Sequence, residues 1–254
     1  MSAIRGTTPL VYILMGSPAS GKGTVSQVLR AEGYDHLSIG DSIRDEVQHG
    51  NPIVLPYADD ILNHRPIPPE ILQNLVEQRL RTAIEERRGI IIDSYPKSVS
   101  QCEFLDRIIR AHGAEARTVC LLLDVLPENA MDRIIFRQVC DKCKRVFNSK
   151  FSPPQIADEC DDCHEPLAKR IDDSAEGGVR RVQEFKKKIQ PVLDYYAKCG
   201  RLHILDGNAT PQASKESFSR FHQSQITKLE SSNENWITWF FRSLQDCFGK
   251  KACA

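Results

Sequence analysis

Short apolar runs alternate along the chain with segments of helical periodicity. The runs occupy residues 10–15, 90–92, 119–123 and 202–205, and a weaker one occupies 36–39. Each run is mostly aliphatic and uncharged, which is typical of the central strands of a parallel sheet. Strands that alternate with helices predict right-handed strand–helix–strand units and an α/β fold with a doubly wound sheet. Any ligand is expected at the C-terminal ends of these strands.

Two stretches interrupt this alternation. Residues 40–88 indicate a run of helices punctuated by prolines, whereas residues 140–169 carry paired cysteines and show little helical periodicity. We interpret both stretches as insertions that move relative to the core.

The last part of the chain is aromatic. After Pro211 a polar helical pattern leads into a segment in which Trp236, Phe240, Leu244 and Phe248 recur at helical spacing. This apolar stripe predicts a helix that packs on its own core. A homodimer face, a site for a partner helix and an interfacial membrane anchor are the alternatives.

The first apolar run leads into a turn that carries glycines, Gly16-Ser17-Pro18-Ala19-Ser20-Gly21-Lys22-Gly23-Thr24, and then into a predicted helix at 25–31. Glycines allow backbone N–H groups to face an anion, and the helix N-terminus adds the positive end of its dipole. Lys22 would reach the outer phosphates of a nucleotide. The strict phosphate-loop pattern has Ser or Thr directly after the lysine, whereas Gly23 intervenes here. Nucleotide binding is favoured over a tight turn without a ligand.

Composition narrows the classes of function. The chain has 254 residues, 41% of them hydrophobic and 27% charged, with a formal net charge of zero. This size fits one α/β domain with insertions or one domain with a tail. The balanced charge gives no sign of a nucleic-acid partner, and no apolar run reaches the ~18–20 residues of a membrane span. A cytosolic location follows by default.

Nine cysteines fit thiols or metal ligands better than a disulfide framework. Cys140 and Cys143 form one Cys-x-x-Cys pair, and Cys160 and Cys163 form another. Two such pairs can converge into a tetrahedral zinc site, which would be structural because four thiolates leave no position for a substrate. Two disulfides or four uncoordinated thiols are the alternatives, and His164 is interpreted as a solvated neighbour.

The pattern Gly-x-Pro-x-x-Gly-Lys-Gly-Thr at Gly16–Thr24 resembles the signature of adenylate kinases and other nucleoside monophosphate kinases. Ala19 stands where the family usually has a third glycine, which requires a glycine-like backbone there or a slightly different bend of the loop. The similarity covers roughly residues 10–210. It implies a P-loop NTPase-type parallel sheet wrapped by helices, with a helical NMP-binding insertion and a zinc-knuckle lid like that of long-lid adenylate kinases.

The same resemblance implies a division of the chain. The core would comprise residues 1–38, 89–137 and 173–212, the NMP-binding insertion residues 39–88, and the zinc-binding lid residues 138–172. Residues 213–254 would form a C-terminal helical extension about which the family says nothing.

On the donor side, the similarity implies an arginine cage. Arg133 and Arg137 lie four residues apart, on a predicted helix that enters the cysteine insertion; Arg133 would pack on the donor adenine. Arg137, Arg170 and Arg181 would gather around the transferred phosphoryl group, with Lys22, and Asp93 would order water around Mg2+. Asp172 and Asp173 would hold the lid arginines on closure. The residues expected to bind ATP are Ala19, Ser20, Gly21, Lys22, Gly23, Thr24, Arg133, Arg137, Val146, Phe147 and Ala209.

On the acceptor side, the similarity is less regular. Lys97 replaces an arginine that binds phosphate in the family, which keeps the charge and loses the bidentate fork. Ile39 replaces a threonine, Ser94 replaces a glycine, and Gln101 matches the glutamine that reads the acceptor adenine. The residues expected to bind AMP are Ile39, Arg44, Arg65, Pro66, Ile67, Ser94, Tyr95, Pro96, Lys97, Gln101, Arg170 and Arg181.

The resemblance therefore predicts a monomeric adenylate kinase that converts ATP and AMP to two ADP with Mg2+ and serves adenine nucleotide homeostasis. One alternative is a nucleoside monophosphate kinase with altered base specificity, for example a GTP:AMP phosphotransferase. Another is a nucleotide- and zinc-binding regulatory protein of low activity, suggested by the departures at Ala19, Ile39, Ser94 and Lys97. We further expect opening of the cysteine-bearing lid to limit turnover.

Overall fold

The structure is a computed structural model that describes residues 10–62, 67–143, 145–169 and 175–249. Within these ranges, the side chains of Asp41, Arg44, Leu62, Ala116, Ala175, Glu176 and residues 232–249 are not described. The strands are β1 Val11–Met15, β2 Asp35–Ser38, β3 Ile90–Asp93, β4 Thr118–Asp124, β5 Arg137–Cys140, β6 Val146–Asn148, β7 Leu167–Ala168 and β8 Leu202–Asp206. The α-helices are α1 Lys22–Ala31, α2 Ile39–Gln48, α3 Ala58–Leu62, α4 Pro69–Glu85, α5 Val99–Ala111, α6 Pro127–Ile135, α7 Ala175–Lys198 and α8 Pro211–Gly249.

Five parallel strands form the main sheet, in the order β2-β3-β1-β4-β8. Every apolar run predicted from the sequence contributes a strand, so the predicted α/β fold is confirmed. Two boundaries differ from the prediction. Ile39 is the first residue of α2 rather than the last of a strand, and α1 begins at Lys22 rather than at residue 25. The earlier start follows from Gly21, whose φ of 102° and carbonyl oxygen cap the helix.

The main sheet is covered on both faces, because alternate side chains of a strand point to opposite sides. Val11, Ile13 and Met15 of β1 belong to the apolar cluster that includes residues of α4, α5 and α7. Tyr12 and Leu14 belong to a second cluster, with residues of α1 and α8. Each fully buried side chain of this size contributes about 1.5–3 kcal/mol of hydrophobic stabilisation.

The segment predicted as a run of helices contains α2, α3 and α4 and a short 3-10 helix, Leu55–Tyr57. Prolines stand where helices begin, as at Pro69, because a missing N–H is tolerated in the first turn. Ile43, Val54 and Ile61 form a small buried cluster of their own.

The segment with the paired cysteines forms a second, antiparallel sheet in the order β6-β5-β7, which we call the cysteine sheet. Among the described residues, its buried cluster consists of Cys140, Phe147 and Cys160, with Cys163 and Leu167 packed against them. The domain boundaries proposed above stay predictions.

Helix α8 packs on the main sheet with its first part. Phe218 is fully buried, and the Tyr12 hydroxyl lies 2.7 Å from His222 Nδ1. His222 Nε2 lies 2.9 Å from Glu32 Oε2 on the loop after α1. The aromatic stripe at Trp236, Phe240, Leu244 and Phe248 lies outside the described side chains, so its predicted packing is untested. In the described part of the chain, no helix combines the length and apolar character that a membrane crossing requires.

Candidate functional site

A cleft of about 1310 Å3 opens at the C-terminal ends of β1 and β3. It is lined by the phosphate loop, the loop after β3, the cysteine sheet, α7 and the loop before α8. The predicted site residues that line it are Ala19, Gly21, Lys22, Gly23, Thr24, Ile39, Asp93, Ser94, Pro96, Lys97, Arg133, Arg137, Val146, Phe147, Arg181 and Ala209.

Other predicted site residues lie elsewhere. Ser20 and Tyr95 are buried behind the lining, Ile67 packs on the small cluster of the helical segment, and Gln101 lies on α5 behind Lys97. Arg65, Pro66, Arg170, Asp172 and Asp173 fall outside the described residues, as does the side chain of Arg44.

The phosphate loop holds its lysine close to the backbone. The Lys22 ammonium donates to the carbonyl oxygens of Gly16 at 2.8 Å and of Ser17 at 3.1 Å. A side chain at Gly16 would collide with Ser20, so the loop can close tightly only with glycine there. The loop, the lysine and the N-terminus of α1 together form an anion-binding site.

Two residues of the site adopt a backbone that favours glycine. Ala19 has a φ of 59° and Ser94 a φ of 63°, and at both positions the resemblance described above implies a glycine. Of the two interpretations of Ala19, the glycine-like backbone is therefore the correct one. Each non-glycine residue in this region costs about 1–2 kcal/mol, and such strain is commonly stored at binding sites.

Asp93 ends β3 as predicted, and 17% of its side chain is exposed. Burial raises its pKa, but a contact with His36, the charge of Lys22 and a hydrogen bond from Ser94 together hold the pKa below its usual range. His36 Nε2 lies 3.7 Å from Asp93 Oδ2, and the Ser94 hydroxyl donates to Oδ1 at 2.9 Å. Asp93 is therefore a carboxylate at neutral pH.

Arg133 connects three segments around the cleft. Its guanidinium donates to the carbonyl oxygens of Gly207 at 2.5 Å, of Asn208 and Ala209 at 3.0 Å, and of Ala19 at 3.4 Å. Burial lowers the pKa of Arg133, and the carboxylate of Asp206 opposes that effect. Gly207 is needed in this loop because a Cβ there would lie 2.8 Å from the carbonyl oxygen of Asp124. These contacts were not predicted from the sequence, because every residue has a backbone carbonyl group and no residue pattern marks the ones that a distant arginine contacts.

Arg137 is not on the helix predicted for it. Helix α6 ends at Ile135, and Arg137 is the first residue of β5, where it pairs with Asn148. The helix stops because the chain turns at Phe136, whose carbonyl accepts from Ser149 N at 2.9 Å. Arg137 lines the cleft from strand β5, and Arg181 lines it from helix α7.

The cysteine sheet adds a residue that the sequence reasoning missed. Arg145 lines the cleft between Cys143 and Val146, and its guanidinium carbon lies 4.7 Å from the centre of the Phe147 ring. The guanidinium also pairs with Asp161 and Asp162. Phe147 itself is 4% exposed, because its ring packs on the cysteines, while Val146 is exposed. The sequence signal for Arg145 is its place directly before Val146, which was itself predicted.

Cys140, Cys143, Cys160 and Cys163 converge as predicted, with all four sulfur atoms within 4.8 Å of one another. Cys140 Sγ lies 3.3 Å from Cys163 Sγ, and Cys143 Sγ lies 3.5 Å from Cys160 Sγ. A tetrahedral site with metal–sulfur bonds of about 2.3 Å needs sulfurs roughly 3.8 Å apart, so the cluster fits a metal ion. Backbone N–H groups of Cys143 and Lys142 are among the groups that lower the pKa of Cys140 to about 7.

Lys97, which was expected to bind AMP, lines the cleft from the loop after β3. Its backbone N–H donates to Gln101 Oε1 at 2.7 Å, which fixes one end of that carboxamide. Ser98 caps α5 by accepting from Gln101 N at 3.4 Å. Ile39 is 7% exposed and belongs to the main apolar cluster, so only its edge reaches the cleft.

Comparison with known proteins identifies the family. The sequence model of adenylate kinase matches residues 14–201. The chain is 36% identical over 196 residues to the adenylate kinase of Thermotoga maritima, which covers 77% of this chain and 89% of that protein. It is 35% identical over 202 residues to the adenylate kinase of Caldanaerobacter subterraneus, and 31% identical over 196 residues to that of Ruminiclostridium cellulolyticum. Each covers 77% of this chain, and the matches span 88% and 91% of those proteins.

The chain belongs to the adenylate kinase family. Adenylate kinases are nucleotide kinases, and the resemblance drawn from the phosphate loop is thereby confirmed, together with the fold that it implied. The family match ends at Arg201, before β8 and α8 begin. Asn208, Ala209 and the helix that follows them therefore lie beyond the segment matched to the adenylate kinase family.

Proposed function

We propose that the chain catalyses the reversible, Mg2+-dependent transfer of a phosphoryl group from ATP to AMP, which yields two ADP. The observation that supports this most is that Lys22, Asp93, Arg137 and Arg181 line one cleft together with the phosphate loop. They come from four separate segments of the chain, and three of them, Lys22, Arg137 and Arg181, are cations. Phosphoryl transfer needs such convergent cations more than it needs a general base.

On the donor side, residues 19–24 bind the ATP phosphates and Lys22 neutralises the charge that develops between donor and acceptor. Mg2+ bound to ATP would neutralise phosphate charge, and Asp93, as a carboxylate, would hold the water ligands of the ion. Arg133 and Ala209 would bound the donor base, with Val146 and Phe147 on the opposite wall. Arg137, Arg170 and Arg181 would bind the transferred group, and Asp172 and Asp173 would pair with these arginines when the cleft closes.

On the acceptor side, Lys97 and Arg44 bind the phosphate of AMP, with Arg170 and Arg181 shared with the donor. Gln101 reads the adenine, and Ile39, Arg65, Pro66 and Ile67 enclose it, beside the segment Ser94-Tyr95-Pro96. The fixed oxygen of Gln101 leaves its amide NH2 group as the donor toward the base.

We also propose that the four-cysteine cluster binds a structural zinc ion. The cluster supports this through its sulfur spacing and through its position in a sheet with a small apolar core. Zinc would supply no chemistry to the reaction, since four thiolates complete its coordination. The cytosolic location and the monomeric state expected from the sequence are part of the same proposal.

One measurement tests the reaction. ADP formation from MgATP is followed with AMP, CMP, UMP and GMP in turn, for the wild type and for Lys22→Met. We expect AMP to be the preferred acceptor and the variant to lose about a thousandfold or more in kcat, because the transition-state charge loses its nearest cation. Lys186→Met, an exposed lysine outside the cleft, is the matched control and should turn over normally.

A second candidate is a nucleoside monophosphate kinase with another base preference. It is favoured by Ile39, whose side chain offers no hydroxyl to a base and is almost fully buried. A clear preference for a pyrimidine monophosphate, or for GTP as donor, would replace the AMP assignment. Turnover that is absent with all four acceptors would favour the regulatory alternative.

A further inference from the structure

Helix α7 presents a stripe of side chains to the cleft, of which only Arg181 has a role above. The lining residues of this helix are Arg181, Glu184, Phe185, Lys188 and Ile189. Their spacing of three, one, three and one residues places them on one face of the helix. Lys186 and Lys187 precede Lys188 directly, but they are exposed and do not line the cleft. In this run of three lysines, Lys188 is therefore the one that faces the site.

Packing of two helices brings Lys188 toward Lys97. Lys97 comes directly before Ser98, the N-cap of α5, and α5 packs on α7 through the main apolar cluster that includes Leu105 and Ile189. Both lysines line the same cleft. Desolvation lowers the pKa of Lys97, and Lys188 is close enough for its charge to lower that pKa further.

Among the described residues, the carboxylates near the two lysines are either weakly paired with them or already engaged elsewhere. Glu184 Oε2 lies 3.9 Å from Lys188 Nζ, and both side chains are more than half exposed, so this pair is weak. The charge of Asp93 raises the pKa of Lys97, whereas that of Lys188 lowers it. The Asp93 carboxylate, however, already accepts a hydrogen bond from Ser94 and lies beside His36 and Lys22. Two ammonium groups that share a cleft in this way repel each other, and an anion placed between them removes that cost.

We propose that Lys188 is a second cation for the phosphate of the acceptor nucleotide and that it shares this phosphate with Lys97. The inference rests on the proposed function, because it assumes an acceptor that carries a phosphate monoester. One lysine is a point charge and cannot bind two oxygens in the planar geometry of an arginine. Two lysines from separate segments, the loop after β3 and helix α7, can contact two oxygens of a dianionic phosphate and so replace the fork that Lys97 lacks.

The test compares Lys188→Met with Lys187→Met, since the two lysines are neighbours and only one faces the cleft. Binding of AMP and of adenosine is measured by calorimetry, and kcat and KM are measured for AMP and for ATP. We expect Lys188→Met to weaken AMP binding and raise the KM for AMP about tenfold, as for the loss of one charged hydrogen bond. Adenosine binding and the KM for ATP should not change, and Lys188→Arg should restore AMP binding.

A double-mutant cycle separates a shared phosphate from two independent effects. If Lys97 and Lys188 bind one phosphate, the combined effect of Lys97→Met and Lys188→Met on AMP binding will not equal the sum of the single effects. Equal AMP affinities of Lys188→Met and Lys187→Met, or an equal loss for adenosine, would overturn the role of Lys188 while leaving the proposed reaction intact. A wild type that neither binds nor phosphorylates AMP would overturn both.

Discussion

The main sheet and the cysteine sheet are stabilised in different ways. The main sheet has five strands, with a large apolar cluster on each face. The cysteine sheet has three short strands, and its buried cluster consists of Cys140, Phe147 and Cys160. Thiols occupy the positions that aliphatic side chains occupy in the main sheet.

The two sheets contribute different residues to the cleft, and they hold them with different rigidity. The main sheet fixes the phosphate loop and Asp93 on strands buried on both faces, which suits groups that must not move. The cysteine sheet contributes Arg137 and Val146 from short strands that bury little apolar surface. Since apolar burial stabilises such a small unit little, we expect its folding to depend on a metal ion bound by the four cysteines, with a smaller contribution from ion pairs such as that of Arg145 with Asp161.

The largest effect is expected from loss of the metal. Zinc binding supplies on the order of 10 kcal/mol to small zinc-dependent folds, so Cys160→Ser or treatment with a chelator should unfold the cysteine sheet. The melting temperature should fall, and limited proteolysis should cut within residues 138–168. The wild type should contain one zinc ion per chain by elemental analysis.

Cys199→Ser is the control for this prediction, because Cys199 is an exposed free thiol outside the cluster. It should change neither the melting temperature nor the zinc content. A metal-free wild type that is as stable as the untreated protein would contradict the dependence of the cysteine sheet on zinc.

A smaller effect is expected from a buried ion pair beside the main sheet, between Asp106 of α5 and Arg201, which directly precedes β8. Asp106 of α5 is 1% exposed; it accepts from Arg201 at 3.0 Å through Oδ1 and from the Tyr195 hydroxyl at 2.9 Å through Oδ2. Asp106→Asn should lower the free energy of unfolding by about 3–5 kcal/mol, since it leaves the Arg201 guanidinium largely buried without a counter-charge. Urea unfolding measures the loss.

The matched control is the exposed pair of Glu77 and Arg81, 2.8 Å apart on α4. Glu77→Gln should change the free energy of unfolding by no more than about 0.5 kcal/mol. Neither variant touches the cleft, so kcat should stay at the wild-type level in both. Equal stability losses in the two variants would mean that burial does not distinguish these pairs.

The smallest effect on stability is expected where glycine replaces a residue with a left-handed backbone, at one position in each region. Ala19 of the phosphate loop and His164 of the cysteine segment have φ values of 59° and 57°. Ala19→Gly should raise the free energy of unfolding by about 0.5 kcal/mol, because relief of about 1 kcal/mol of strain is partly offset by the chain entropy of glycine. His164→Gly should gain less, since histidine tolerates this region better and His164 Nδ1 lies 2.7 Å from Glu159. Chemical denaturation measures the free energy of unfolding of both variants. A larger increase for His164→Gly than for Ala19→Gly would contradict the explanation by backbone strain.

Features that are encoded by residues close together in the sequence could be predicted. The strands of the main sheet were visible as apolar runs, the phosphate loop as a motif with a resemblance, and the four-cysteine cluster as two short cysteine pairs, since each is encoded by neighbouring residues. The three strands of the cysteine sheet were not predicted. The start of α1 was placed three residues late, because the capping geometry of Gly21 follows from its left-handed φ and not from its periodicity.

Features that depend on distant segments were not predictable. Arg133 binds carbonyl oxygens of residues 207–209, and no side-chain pattern marks a carbonyl. Arg137 was placed on a helix because its spacing from Arg133 fits one, whereas strand pairing with Asn148 determines its conformation. Lys188 was indistinguishable from Lys186 and Lys187 until the rotation of α7 was known.

The contact of Tyr12 with His222 has a practical consequence for the design of shortened versions of this protein. The match to the family model ends at Arg201, which makes that position an obvious place to cut. A cut there would remove β8 from the edge of the main sheet, expose the Phe218 site and leave the Tyr12 phenol inside the molecule without its imidazole neighbour. A fragment intended for crystallisation or labelling should therefore retain at least residues 10–231.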